Sequence, residues 1–342
     1  MKAIDLFAGA GGLSLGMKQA SWEVVGALEI WPEALATHRV NMPDVAHICD
    51  DIRDVDFTAF RGVDLVAGGP PCQPFSVSGK QLGAGDVRDM LPEFLRAVEE
   101  ARPHAFLMEN VQGLTTPRFR TYLAAHVAKL SKLGYEVHWK VLNAADFGVP
   151  QNRRRLFIVG LPPGINYDFP TPTHGTAECP FATVRGALLD APADEANTAK
   201  VVYAKNPVLR RSPFAGMLLN GKGRPLNLDA PSNTIPATAG GNRTHVLDPD
   251  GVLTAYHKGL LRGDAARTGL VPGCRRLTVR ESARLQTFPD WFEIKGRKSQ
   301  QYAQVGNAVP PMLAKVVAAS IREALNSGDV QTYAAEPIPH YV

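Results

Sequence analysis

Apolar segments alternate with segments of helical periodicity through the first half of the chain. The apolar runs AIDLFA, VVGALEI, VDLVAGG and HAFLMENV are each followed by a helix-like segment, such as LSLGMKQA or MLPEFLRAVEEAR. Strands that alternate with helices form a parallel sheet covered on both faces, with ligand sites at the carboxyl ends of the strands. The sequence therefore predicts an α/β fold with a doubly wound, mostly parallel sheet.

The composition of the sequence changes near residue 161. From there proline, glycine and threonine become frequent and long periodic segments are few. Helical periodicity returns in TVRESARLQTF and in PPMLAKVVAASIREAL, and we expect this last helix to pack back on the first domain. A chain of 342 residues also exceeds the usual size of one domain. We predict a discontinuous larger domain, residues 1–175 plus 300–342, and a smaller loop- and strand-rich domain, residues 176–299.

The basic residues are clustered although the formal net charge is only +4. Such clusters suit a polyanion, yet short arginine clusters serve equally often as solvated surface or as partners of carboxylates. They are RFR at 118–120, QNRRR at 151–155, LRR at 209–211, and CRR followed by Arg280 and Arg284.

The four cysteines form no C-x-x-C pair, and no apolar run approaches the roughly 18 residues of a membrane span. We therefore expect no disulfide framework, no metal site, no membrane partner, and a cytoplasmic location.

A glycine-rich turn follows the first predicted strand in DLFAGAGGLSLG, residues 5–16. Glu29 ends the next strand, at the spacing of the acidic residue that binds ribose hydroxyls in nucleotide folds, and DDI at 50–52 ends a third. The turn departs from G-x-G-x-x-G and has no Walker lysine. An adenosine ligand without a pyrophosphate fits better than NAD or ATP, and S-adenosylmethionine is such a ligand.

The strand VDLVAGG ends in Pro-Pro-Cys, which would place the thiol of Cys72 at the sheet edge where the cofactor is expected. The next strand ends in Glu109, and QNRRRLFIVG carries Arg153 and Arg155 just inside a strand. Burying an acid or an arginine is costly unless it is paired or serves a ligand. A mutual salt bridge and a ligand site are both compatible with this pattern.

Together these motifs resemble the DNA (cytosine-5) methyltransferases of the bacterial modification-methylase type, in that family's order and over nearly the whole chain. They are DLFAGAGG, GGPPCQPFSVSGKQ, DVRDML, ENV, QNRRR, RRLTVRESARLQTFPD and QVGNAVPP. The resemblance implies methyl transfer from S-adenosylmethionine to carbon 5 of a flipped-out cytosine, through a covalent adduct of Cys72 at carbon 6.

The resemblance also implies a role for each matching residue. Glu109 would donate a proton at cytosine N3, Arg155 would hold O2, and Arg153 would position the catalytic loop or Glu109. The implied cofactor residues are Phe7, Gly9, Gly11, Gly12, Glu29, Ile30, Asp51, Ile52, Pro71, Leu91, Asn307 and Ala308.

The implied contacts with DNA fall in two regions. The segment SVSGKQ resembles the loop that closes over the flipped base, and it supplies Ser76, Ser78, Lys80 and Gln81. Site recognition would lie in the smaller domain, in NGKGR at 220–224 and TIPATAGGN at 234–242, with Arg224 and Thr234 as candidates. The expected partner is double-stranded DNA bound by a monomer, with a cognate restriction endonuclease acting on the same site.

Two alternatives remain open from the sequence. A tRNA cytosine-5 methyltransferase could use the same scaffold, although that branch typically has threonine where this chain has Ser76 and lacks a comparable recognition module. A catalytically inactive DNA-binding homologue is the other, although Cys72, Glu109, Arg155 and the glycine turn are all present.

Overall fold

The structure is a computed structural model that describes residues 1–71 and 89–328. The chain divides into two compact units. The first comprises residues 1–147, 154–173 and the chain from 309 onward, and the second comprises residues 148–153 and 174–308. The first unit is thus discontinuous. The segments 148–153, 174–175 and 300–308, which the sequence predicts in the larger domain, belong to the second unit by their contacts.

The strands and helices follow one another with short connections. The strands are β1 Lys2–Leu6, β2 Glu23–Leu28, β3 Ala46–Ile48, β4 Leu65–Gly68, β5 Ala105–Val111, β6 Glu136–Asn143, β7 Gln151–Asn152, β8 Arg154–Leu161, β9 Tyr203–Val208, β10 Met217–Leu219, β11 Ser232–Asn233, β12 Val246–Leu247 and β13 Arg275–Arg276. The helices are α1 Gly12–Gln19, α2 Pro32–Asn41, α3 Leu91–Ala101, α4 Arg120–Lys132, α5 Val184–Leu188, α6 Val252–Arg262, α7 Val279–Leu285, α8 Lys298–Asn307 and α9 Pro311–Ser327.

Within the described part of the first unit, seven strands form one sheet in the order β3-β2-β1-β4-β5-β8-β6. The pairs from β3 to β5 are parallel, whereas β8 is antiparallel to both β5 and β6. The predicted mostly parallel α/β sheet is confirmed. The alternation ends after β6, because the connection to β8 is shorter than the dozen or more residues that a parallel crossover needs.

The core of the first unit lies between the sheet and its helices. Phe94 of α3 and Phe106 of β5 are fully buried and meet edge to face. The last helix, α9, packs against α1, where the indole N–H of Trp22 donates to the carbonyl of Ala318 at 2.9 Å. The expected return of the last helix to the first domain is therefore confirmed.

The second unit is built from strands of two to six residues and loops around a small apolar core. Strands β9 and β10 pair antiparallel, as do β12 and β13, and β11 pairs parallel with β7. This agrees with the loop- and strand-rich module expected from the sequence. Among the residues described, no helix of either unit is long and apolar enough to cross a membrane.

Candidate active site and cofactor turn

The turn between β1 and α1 takes backbone conformations that glycine allows. Gly9 has φ +55° and Gly11, which precedes α1, has φ +92°. Among residues 1–71 and 89–328, a Cβ added at Gly9 would meet nothing within 4 Å, so this part of the structure leaves space beside the backbone. Gly12 is buried and begins α1. Phe7, which like Gly9 and Gly11 has a positive φ, packs against the core. The turn can therefore accept a ligand against its main chain at Gly9.

Glu29 ties this turn to the end of β2. Its carboxylate accepts the backbone N–H of Gly9 at 2.8 Å and that of Trp31 at 2.8 Å. Burial raises the pKa of Glu29, and the backbone hydrogen bonds oppose that rise. The neighbouring Ile30 is 62% exposed, which leaves its side chain available to a ligand.

Asp51 follows β3 and caps a short 3-10 helix, Ile52–Asp54. Its carboxylate accepts two hydrogen bonds from the Arg53 guanidinium, and these lower its pKa to about 2. A ligand amino group at Asp51 would share the carboxylate with Arg53. Ile52 is buried.

The remaining cofactor candidates differ in accessibility. Pro71 is exposed at the end of the first described segment, whereas Leu91 is fully buried in the core at the start of α3. Leu91 thus offers no open side-chain surface. Asn307 is exposed and Ala308 is buried, and both belong to the second unit.

Glu109 and Arg155 form the ion pair that the sequence left as an alternative. Arg155 Nε lies 3.0 Å from Glu109 Oε1, and the two side chains are 16% and 11% exposed. Because β8 runs antiparallel to β5, its amino end lies at the edge where β5 ends, and Val111 pairs with Arg155. The antiparallel strand therefore brings a guanidinium beside the carboxylate, and both keep some access to solvent.

The chain just before Cys72 lies at the same edge of the sheet. The side-chain amide of Asn110 donates to the carbonyl of Pro70 at 3.2 Å. A Cβ added at Gly69 would lie 3.4 Å from Glu109 Oε2. The candidates Cys72, Ser76, Ser78, Lys80 and Gln81 lie outside the described residues.

Arg153 is placed differently from its sequence interpretation. It lies between β7 and β8 rather than inside a strand, is 1% exposed, and belongs to the second unit. Its guanidinium donates to the carbonyls of Ile235 and Asn307, each at 3.4 Å.

The recognition candidates Arg224 and Thr234 share one partner that sequence reasoning missed. The Nδ1 atom of His245 accepts the backbone N–H of Arg224 at 3.3 Å, and its Nε2 atom lies 3.2 Å from the carbonyl oxygen of Thr234. The Arg224 guanidinium donates to the Ala215 carbonyl. Thr234 donates its hydroxyl proton to Asn152 at 2.7 Å.

The arginines of the 274–284 cluster serve the protein itself. Arg275 pairs with Glu281, and Arg284 pairs with Asp190 and Asp290. Arg276 is 1% exposed and donates to backbone carbonyls. For Arg275 and Arg284 the structure shows the carboxylate pairing that the sequence left as an alternative to polyanion binding. Arg210 and Arg211 are exposed.

A buried polar chain beneath the glycine turn was also missed. Ser14 is hydrogen-bonded to both Asp5 and His38. Each of the three residues is at most 1% exposed. Within residues 1–71 and 89–328, no group of three or more His, Cys, Asp or Glu side chains could hold a metal ion.

Comparison with known proteins assigns the family. The sequence profile described as C-5 cytosine-specific DNA methylase matches residues 1–323. The chain belongs to this family. Methyltransferases of the family use S-adenosylmethionine as methyl donor, and the open backbone at Gly9 with the carboxylate of Glu29 fits an adenosine ligand.

Two relatives and one solved structure illustrate the similarity. The methyltransferase is 38% identical to the type II methyltransferase M.AplI of Arthrospira platensis, over 95% of this chain and 86% of that one. It is 36% identical to the type II methyltransferase M.NgoMIV of Neisseria gonorrhoeae, over 94% and 97%. Its fold resembles that of a Spodoptera frugiperda DNMT2 mutant, with a TM-score of 0.68 at 17% identity, over 95% of this chain and 99% of that one.

Proposed function

We propose that this DNA cytosine-5 methyltransferase modifies one specific duplex sequence, with Cys72 as nucleophile and Glu109 and Arg155 as the groups that bind the flipped cytosine. The main support is the Glu109–Arg155 pair at 3.0 Å, beside the Gly69–Pro70 segment that leads to Cys72. A carboxyl group and a guanidinium at one sheet edge match the N3 and O2 positions of a cytosine ring.

The proposed reaction has balanced steps. The Cys72 thiolate adds to carbon 6 while Glu109, which must be protonated in the complex with cytosine, donates its proton to N3 and makes carbon 5 nucleophilic. S-adenosylmethionine supplies an electrophilic methyl group, which becomes bonded to carbon 5. A base then removes the carbon 5 proton, the bond from sulfur to carbon 6 breaks, and N3 returns its proton. Arg155 stabilises the negative charge that develops on O2.

Covalent trapping tests this assignment. Duplex DNA with 5-fluorocytosine at the target should give, with S-adenosylmethionine, an adduct that survives denaturing detergent, because fluorine cannot leave as a proton does. Cys72→Ala should give none. The assignment fails if wild type forms no adduct on a duplex that it methylates, or if Cys72→Ala forms it equally well.

Sequence specificity is proposed for the second unit, in the segments that carry Arg224 and Thr234. Bisulfite sequencing of plasmid DNA from cells that express the protein should show one methylated sequence context. Methylation without a common context would contradict the proposal. We further propose that the enzyme acts as a monomer in the cytoplasm, alongside a restriction endonuclease of the same specificity. The designation type II in the names of its relatives supports only the pairing with an endonuclease.

The tRNA alternative is separated by direct competition. Wild-type enzyme with equal amounts of target duplex and tRNA should transfer labelled methyl groups to the duplex. Binding to the duplex should weaken as salt rises, because counterions compete with basic side chains for phosphates. Preferential labelling of tRNA would favour the alternative.

A further inference from the structure

A four-residue hydrogen-bond chain runs beneath the glycine turn, through residues to which the reaction assigns no role. Ser14 Oγ donates to Asp5 Oδ2 at 2.6 Å, and His38 Nε2 lies 2.9 Å from Ser14 Oγ. His38 Nδ1 lies 2.9 Å from His47 Nε2. Asp5, Ser14 and His38 are buried, whereas His47 is partly exposed. The chain therefore leads from a buried carboxyl group to a residue that solvent can reach.

The chain brackets the turn that is proposed to hold the cofactor. Asp5 lies in β1 just before the turn, and Ser14 lies in the first turn of α1 just after it. Gly11, at the start of α1, offers no capping side chain, and a Cβ there would lie 2.8 Å from His38 Cδ2. Asp5 also accepts a hydrogen bond from the Ser14 backbone, so its carboxylate serves as the missing cap.

The hydrogen bonds can run in either direction along the chain. With Asp5 ionised, His47 Nε2 donates to His38, His38 Nε2 donates to Ser14, and Ser14 donates to Asp5. With Asp5 protonated, every bond reverses, and His47 carries its proton on Nδ1. The change takes up one proton from solvent at His47, while each inner group passes one proton inward. His38 stays neutral throughout, since burial lowers its pKa to about 3.

We propose that Asp5, Ser14, His38 and His47 form a proton-linked positioning relay, in which the ionised Asp5 carboxylate favours binding of the cationic S-adenosylmethionine at the turn. S-adenosylmethionine carries a sulfonium charge, whereas the product S-adenosylhomocysteine has a neutral sulfur. An anion buried beneath the turn therefore stabilises bound S-adenosylmethionine more than bound S-adenosylhomocysteine. The relay thus favours donor over spent product at the same turn. This inference depends on the proposed placement of the cofactor at Gly9 and Glu29.

The pKa of Asp5 fits this linkage. Burial raises it to about 7, the bonds to Ser14 oppose the rise, and the Glu29 charge adds to it. Asp5 is therefore mostly protonated below pH 7 and mostly ionised above it. A cation bound nearby lowers the pKa of Asp5, so binding of the cation releases a proton. The other charged groups that act on the two histidines of the relay are Lys18 on α1, Arg39 on α2 and Asp44 after α2.

Isothermal titration of the full-length protein with S-adenosylmethionine at pH 6, 7 and 8 tests the relay without DNA. We expect the affinity of the wild type for S-adenosylmethionine to rise about fivefold to tenfold from pH 6 to pH 8. Its affinity for S-adenosylhomocysteine should change less. Asp5→Asn should bind like wild type at pH 6 and about fivefold to tenfold more weakly at pH 8. The ratio of the wild-type affinity to the Asp5→Asn affinity at each pH cancels the effect of Glu29 and the other groups, which titrate in both proteins. A ratio that is constant with pH would overturn the proposal.

Substitutions at Ser14 provide a second readout. Ser14→Ala removes a bond that lowers the pKa of Asp5, so the rise in affinity should move to higher pH. Ser14→Thr keeps the hydroxyl and should restore the wild-type profile. The matched control is Ser320→Ala, which removes a partly buried hydroxyl of α9 bonded to Tyr167 in the same unit. An unchanged profile in Ser14→Ala would overturn the relay.

Glu29→Gln separates failure of the relay from failure of the cofactor assignment. If Glu29→Gln weakens binding at pH 8 while Asp5→Asn and Ser14→Ala do not, the relay is wrong and the turn remains the cofactor site. If Glu29→Gln also binds normally, the cofactor lies elsewhere and both proposals fail.

Discussion

At the scale of single residues, the site depends on pairing charges that would be costly to bury alone. Glu109 and Arg155 lie in apolar strands and are each mostly buried, and each compensates for the other. The same two groups can exchange their mutual bond for bonds to a base. The pair therefore stabilises the site before the substrate arrives, and in the proposed reaction the same two groups bind the cytosine.

Glu109→Gln should reduce methyl transfer by about a hundredfold to ten-thousandfold, the usual contribution of a general acid. Glutamine fills the same space but has no carboxyl proton to donate to N3. Single-turnover methylation of target duplex measures the loss, and titration calorimetry should show unchanged affinity for S-adenosylmethionine. The control is Glu136→Gln on the exposed end of β6 in the same sheet. Transfer at more than a tenth of the wild-type rate would remove Glu109 from the acid role.

Asp51→Asn should weaken S-adenosylmethionine binding by about tenfold, or about 1.4 kcal/mol, and by the same factor from pH 5 to pH 9. The reason is that its pKa of about 2 keeps the carboxylate ionised over that whole range. Titration calorimetry at several pH values measures the factor. Asp56→Asn is the matched control, because Asp56 caps the next 3-10 helix in the same way. Equal weakening in both variants would mean that Asp51 acts only as a cap.

Some of these residues were predictable and others were not. Glu109 and Glu29 could be placed at the ends of strands because a strand that ends in an acid is visible in a linear sequence. The relay was not found, since Ser14 and His38 are 24 positions apart and become neighbours only when the chain folds and brings α1 and α2 together. His245 was missed for the same reason, because it looks like an isolated histidine in a loop-rich segment.

At the scale of elements, close backbone approach decides several contacts. In the second unit, a Cβ added at Gly223 would lie 1.9 Å from the carbonyl oxygen of Thr244. This glycine lets residues 220–224 lie against residues 241–246, where Val246 donates to the carbonyl of Arg224 at 2.9 Å. The two proposed recognition segments are therefore held by main-chain geometry as well as by side chains.

His245→Ala should relax sequence specificity more than it reduces the methylation rate. The imidazole is the shared partner of Arg224 and Thr234, and its loss frees both segments to shift. Sequencing of methylated plasmid should show methylation at sites that differ by one base pair from the wild-type site. His257→Ala, which removes another buried histidine of this unit, controls for loss of stability. Relaxation of equal extent in both variants would contradict the positioning role of His245.

Gly16→Ala should destabilise the protein, although alanine usually favours a helix by about 1 kcal/mol over glycine. The added Cβ would lie 2.4 Å from Ala314 Cβ and 2.7 Å from the carbonyl oxygen of Pro311, so α1 and α9 must separate. We expect a loss of about 1–3 kcal/mol in the free energy of unfolding, measured by urea denaturation. Adding Ala314→Gly should recover part of the loss. A gain in stability for Gly16→Ala alone would show that this packing is wrong.

The elements themselves were largely predictable as far as β6, because hydrophobic periodicity marks each strand and helix. The antiparallel β8 was not, since an apolar run such as LFIVGL fits either direction of a strand. Direction depends on the length of the preceding connection and on pairing with β5, which are tertiary properties. Yet this reversal is what places Arg155 beside Glu109.

At the scale of the whole molecule, the two compact units divide the proposed tasks. The glycine turn, Glu109 and Arg155 belong to the first unit, and the recognition segments belong to the second. The chain enters the second unit twice, at residues 148–153 and 174–308, and then returns to complete the first unit with α9. The fold of the first unit thus requires both ends of the described chain.

A chain that ends at Ala308 should lose S-adenosylmethionine binding although it retains every proposed catalytic and cofactor residue. It lacks α9, whose apolar side chains Leu313, Val317, Ile321 and Leu325 are buried and whose contacts with α1 support the glycine turn. We expect no binding by titration calorimetry and no cooperative thermal transition of the first unit. Residues 309–342 supplied as a separate chain should restore part of the binding, because an isolated helix folds mainly by packing on its partner. Lys315→Ala, on the exposed side of α9, should leave binding unchanged. If the shortened chain binds S-adenosylmethionine with wild-type affinity, α9 is not needed to hold the turn.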